Sequence, residues 1–68
     1  MKIFAERLKE LRKEKNLTQT DLASILKIKQ QSYARYEADT SEPSYGMLVE
    51  ISKFFDVSTD YLLGIKEY

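Results

Sequence analysis

Leu17–Glu37, LTQTDLASILKIKQQSYARYE, is the stretch whose reading decides the fold of this chain. Thr18 stands three residues before Asp21, the spacing at which a hydroxyl and a carboxylate cap the same helix start. Leu17 and Leu22 flank that start where a hydrophobic staple belongs. From there Leu22, Ala23, Ile25 and Leu26 recur at helical rather than alternating spacing, and Ala23 is small enough to let another helix approach closely. The pattern breaks around Lys27 and restarts with Tyr33, Ala34, Tyr36 and Glu37, so Ile28 is expected to plug the intervening turn into the core. The segment therefore reads as two short helices joined by a tight turn, spanning about residues 18–38.

The second of these helices turns Gln30, Gln31 and Arg35 outward. Glutamine offers a paired donor and acceptor to adenine, and arginine a two-pronged donor to guanine, so a helix with this face suits the major groove of DNA. Ala34, also toward that side, is placed to touch a thymine methyl. Arg35 fits either a guanine or a phosphate, and the sequence leaves the choice open. Tyr33 and Tyr36 fall on the opposite face and are expected to be core aromatics with hydroxyls at the rim.

Working outward, Lys2 to about Lys15 forms an amphipathic first helix with Phe4, Leu8 and Leu11 on its inner stripe and Ile3 nearby. Asp39 to Pro43 is polar and turn-like, and Pro43 followed by Ser44 marks entry to a fourth helix carrying Met47, Leu48, Ile51, Phe54 and Phe55. A fifth helix starts at a Ser58 cap, stapled by Val57 and Leu62, and Gly64 stands where a left-handed terminating residue is expected. The expectation is an all-α, compact five-helix domain covering residues 1–68, without repeats, linkers or low-complexity segments.

Sixty-eight residues, 43% of them hydrophobic, with two Gly and one Pro, allow one small core. A chain of this length buries only about 60% of its unfolded surface, so a partner subunit would supply useful extra burial. Cysteine is absent, which excludes disulfides and thiolate metal sites. Met1 leads straight into a charged amphipathic run unlike a signal peptide, and no apolar stretch has transmembrane length. The expected location is the cytoplasm, with no membrane partner.

The formal net charge of +0 conceals a segregation. Residues 1–36 hold nine basic side chains against four acidic, net +5, and residues 37–68 hold two against seven, net −5. A domain with one basic side can hold DNA there while its acidic side keeps nonspecific affinity modest.

Over about Leu8 to Gly64 the chain resembles the helix-turn-helix family of phage repressors and Cro proteins, the XRE or lambda-repressor-like class. The matching residues are Thr18, Gln19, Leu22 and Ala23, then Gln30 to Ser32, Tyr36 with Glu37, Glu42 to Ser44, and DVSTDYLLG from Asp56 to Gly64. The resemblance implies that Gln31 reads a base directly, that Gln30 reaches a base or the neighbouring Gln19, and that Gln19 is the leading phosphate contact. Arg12 and Glu37 are implied to form a structural ion pair fixing the angle of the reading helix. The dimer surface is implied to use Tyr61, Leu62, Ile65 and Tyr68, the alternative being that Leu62 and Leu63, with or without Tyr61, simply close the monomer core. Two positions depart from the family pattern: Lys27 replaces the usual turn glycine, and Lys29 the usual hydroxyl cap. A non-glycine residue held at positive φ costs on the order of 1 kcal/mol, and a missing cap about the same. Gly46, early in the fourth helix, is a third departure.

Phosphates are expected at helix ends, where free amides point outward. Besides Gln19, the candidates are Lys27 and Lys29 in the turn, Ser32, and Thr40, Ser41, Ser44 and Tyr45 in the loop beyond the reading helix, with Asp39 and Glu42 opposing. No catalytic role is expected, because His and Cys are absent and there is no glycine-rich phosphate loop. Asp56 and Asp60 fit caps and dipole partners, and no cofactor or metal is anticipated. Together these features predict a sequence-specific regulator, a repressor, binding a palindromic operator in double-stranded DNA as a homodimer. The rival is a protein-interaction module of antitoxin or antirepressor-binding type, whose acidic half docks a regulatory protein partner while DNA binding is secondary.

Overall fold

The computed structural model describes residues 2–68 and contains five helices: α1 (Lys2–Glu14), α2 (Gln19–Leu26), α3 (Gln30–Glu37), α4 (Tyr45–Phe55) and α5 (Thr59–Leu62). Met1 lies outside the described residues. Each helix contributes at least one side chain to a single buried cluster: Phe4 and Leu8 from α1, Leu22 and Ala23 from α2, Tyr33 from α3, Ile51 and Phe55 from α4, and Leu62 from α5. Leu17, Ile28 and Val57, all in connecting segments, pack against it. Shielding these side chains from water is the main term that holds such short helices together, because helices this short are marginal alone.

Three helix starts are closed by side chains. Thr18 accepts from the Asp21 amide while Asp21 accepts from the Thr18 amide, and Ser44 and Ser58 accept from the Met47 and Tyr61 amides. The Thr18 amide's bond draws the Asp21 carboxyl below its usual range. Lys29 at the start of α3 supplies no side-chain cap.

All five helices end the same way. Asn16, Lys27, Asp39, Asp56 and Gly64 each sit at positive φ just past a helix. The following amide then donates to the carbonyl five residues back: Leu17 to Arg12, Ile28 to Ala23, Thr40 to Arg35, Val57 to Ser52 and Ile65 to Asp60, at 2.8–3.2 Å. This is the bond that absorbs an orphan carbonyl at a helix C-terminus. Asn and Asp tolerate the left-handed region best after Gly, so Lys27, at φ 60, is the costly member. Asp56 thus terminates α4, whereas Asp60 lies in the first turn of α5. Gly64 is required twice over: its φ is +83, and a Cβ there would come within 2.8 Å of Ile3 Cγ2.

Two expectations are corrected. Leu62 is fully buried, so it closes the monomer core and has no surface to offer a second subunit. The Tyr33 hydroxyl does not reach the rim; the whole residue is enclosed and its hydroxyl donates to Glu37. No helix among the described residues is long and apolar enough to cross a membrane.

Candidate nucleic-acid interface

α3 has one face in the core and one in water. Tyr33 is buried and Tyr36 packs half-buried against the core, and their rings meet edge to face at 6.3 Å. On the other side Gln30, Gln31 and Arg35 are exposed, while Ser32 and Ala34 are half-buried. Burial of Tyr33 therefore turns Gln31 and Arg35, two positions to either side of it, toward solvent. Because Lys29 provides no cap, the first amides of α3 keep free donors, and the partial positive charge of the helix start favours an anion.

A cluster of side-chain bonds joins the far end of α3 to α1 and α2. Arg12 donates from Nε to Glu37 Oε2 at 2.7 Å and from Nη2 to Oε1 at 3.1 Å. The two side chains are only 11% and 4% exposed. A third Arg12 bond, Nη1 to the Leu17 carbonyl at 2.8 Å, ties in the turn between α1 and α2. Glu37 also accepts from the Tyr33 hydroxyl and from Gln19 Nε2, the latter at 3.1 Å. Burial by itself would raise the Glu37 carboxyl, but bonds from Arg12, Tyr33 and Gln19 outweigh it and hold it below the usual range. The same pairing raises the Arg12 guanidinium, and burial with Glu37 alongside pushes the Tyr33 hydroxyl well up, so it keeps its proton as a donor.

The remaining sequence candidates are placed as follows. Gln19 turns its amide to Glu37 rather than to Gln30. Lys29 is exposed at the α3 start, whereas Lys27 lies beside a shallow groove with Ile25, Leu26, Glu50, Lys53 and Phe54, on the α2–α4 side. Thr40 returns its hydroxyl proton to the Arg35 carbonyl, and the Ser44 oxygen caps α4. Ser41 and Tyr45 are exposed, Tyr45 by 91%. Among the tail candidates, Tyr61 is half-buried beneath the Arg7 guanidinium, 4.3 Å from the ring centre, while Ile65 and Tyr68 are 70% and 81% exposed.

Sequence reasoning missed two residues here. Tyr33 had a readable signal, its i, i+4 spacing to Glu37 on one helix. Arg7 had none, because its partners lie far along the chain. It donates to the carbonyls of Tyr61 and Lys66 and to Glu67, pinning residues 61–67 to α1.

Residues 8–62, from the middle of α1 to the end of α5, match the helix-turn-helix family. The chain belongs to that family. Among its relatives, the uncharacterized HTH-type transcriptional regulator YqaE of Bacillus subtilis is 48% identical over 61 residues, covering 90% of this chain and 53% of YqaE. The HTH-type transcriptional regulator ImmR of the same organism is 40% identical over 64 residues, 94% of this chain and 50% of ImmR. The HTH-type transcriptional activator BcrR of Enterococcus faecalis is 41% identical over 64 residues, 94% of this chain and 31% of BcrR. The chain thus spans about half the length of the first two and a third of the last. In this helix-turn-helix chain the segment between the two short helices, residues 27–29, keeps its turn without glycine.

Proposed function

We propose that this helix-turn-helix chain is a sequence-specific regulator of transcription that lays α3 in the major groove of double-stranded DNA. The observation that carries the reading is the pairing of a fully buried Tyr33 with Gln31 and Arg35 exposed on the opposite face of the same helix, Gln30 being exposed in its first turn. Gln30 and Gln31, in the first turn, take base edges, Ala34 takes a thymine methyl, and Arg35 reaches a guanine or a phosphate. Gln19, Lys29, Ser32, Ser41 and Tyr45 hold phosphates, with Lys27, Thr40 and Ser44 more peripheral. The relatives' names as transcriptional regulators support the same role.

Two copies bind a palindromic operator with half-sites about 34 Å apart, one helical turn. Ile65 and Tyr68, with part of Tyr61, form the dimer contact. We take the regulator to be a repressor, as the resemblance to phage repressors implies, acting in the cytoplasm.

Selection of duplexes from a random pool by the purified protein at about 150 mM salt, with Gln31→Ala in parallel, tests this. Enrichment of an inverted repeat that the variant loses or reads differently is the expected result. Absence of any enriched sequence, with residual binding that vanishes at modest salt, would overturn it and redirect the search to a protein partner for the acidic half.

A further inference from the structure

Glu37 accepts two bonds on each carboxylate oxygen. Oε2 takes the Arg12 Nε–H and the Tyr33 hydroxyl, and Oε1 takes the Arg12 Nη2–H and the Gln19 amide. A carboxylate can only accept, so its donors set its rotation. With both lone pairs of Oε2 engaged, Oε1 stays aimed at Gln19. Gln19 is the first residue of α2, and its amide is tethered in this way without any nucleic acid present.

We infer that Tyr33 is a positioning residue for DNA binding: its buried hydroxyl fixes the rotation of Glu37 and, through Glu37, holds the Gln19 side chain ready at the start of α2. The inference rests on the DNA reading above. Tyr33 touches no nucleic acid itself, since its ring is enclosed by the core. Its effect is to remove the ordering cost of a long glutamine side chain before binding, a cost equivalent to about a 3-fold to 10-fold change in affinity. Phenylalanine fills the same space but removes one of the two Oε2 donors, so the Arg12 fork alone sets the carboxylate's rotation and Oε1 is held less firmly toward Gln19.

The test is a double-mutant cycle on the selected operator with Tyr33→Phe, Gln19→Met and the pair together. Tyr33→Phe is expected to weaken binding about 3-fold to 10-fold with its base preferences unchanged, and the double variant to bind no worse than Gln19→Met. A purely structural tyrosine predicts instead that the two losses multiply, and that result overturns the inference. Side-chain amide NMR of the free protein supplies a reading independent of any variant's stability: slowed exchange of the Gln19 Nε2 protons supports the tether, and exchange at the rate of an unbound glutamine refutes it. A wild-type protein that selects no operator removes the DNA reading and the role of Tyr33 with it, whereas an operator bound equally by wild type and Tyr33→Phe removes the role of Tyr33 alone.

Discussion

Arg12 and Glu37, from different helices, meet through two bonds of 2.7 and 3.1 Å, and both side chains are nearly closed to solvent. Removing one partner of such a pair leaves the other charged and buried, which costs roughly 3 kcal/mol. Glu37→Gln is expected to lower stability by about 2–3 kcal/mol and to weaken DNA binding with it. Thermal melts of the two proteins check this, and equal melting temperatures would mean that the pair is hydrated in solution.

Acid should act through the same carboxylate. The folded-state pKa of Glu37 is depressed, so its contribution is fully present above the unfolded value of about 4.3 and is lost as pH falls through the lower folded value. Melting temperature is expected to drop on acidification below about pH 4.5, and Glu37→Gln to flatten that part of the profile. Parallel curves for the two proteins would assign the acid sensitivity to other carboxylates.

Lys27 holds φ 60 without glycine's freedom. Lys27→Gly relieves that conformation and is expected to stabilise the fold by roughly 0.5–1 kcal/mol, the gain partly offset by the freer unfolded chain. Urea denaturation gives the value, and a destabilised variant would show that the lysine side chain contributes more than its backbone costs.

On DNA, the two ends of the α3 first turn should separate by kind. Gln31→Ala is expected to relax preference at one operator position by about 1–3 kcal/mol, while Lys29→Ala weakens all sequences similarly and lowers the salt slope by about 1. Competition titrations at several salt concentrations distinguish these. A uniform loss for Gln31→Ala would move that residue to the phosphate backbone.

Leu62 and Tyr68 should also behave differently. Leu62→Ala is expected to cost about 2–5 kcal/mol of monomer stability, as befits a fully buried side chain. Tyr68→Ser, at an 81% exposed position, is expected to leave the melt nearly unchanged and to weaken self-association in sedimentation. A Tyr68→Ser protein that still dimerises would place the contact elsewhere.

The fold was legible wherever its signals were local. The Thr18–Asp21 box, the Ser44 and Ser58 caps and the left-handed Gly64 are each written within a few residues, and each is present. The Arg12–Glu37 meeting came from family resemblance, since nothing in residues 25 positions apart announces a contact. Leu62 carried both a core and a surface reading because helical spacing does not say what covers a face. Arg7 was invisible for a related reason: its acceptors are 54 to 60 residues away, two of them backbone carbonyls that any sequence would provide. At the candidate interface the outward glutamines were readable from spacing, but the turn of Gln19 toward Glu37 depends on the crossing of two helices.

The shared helix ending has a kinetic consequence. Every stop is made by a left-handed residue and an amide only five positions from its acceptor, so each boundary can form on the timescale of a single helical turn, about a microsecond or less. The chain does not need its finished interior to know where to bend. Collapse then has only to dock short rods whose lengths are already decided, and a topology assembled from near neighbours in this way belongs among the fast folders. A stopped-flow or temperature-jump relaxation slower than milliseconds would be out of character for this molecule.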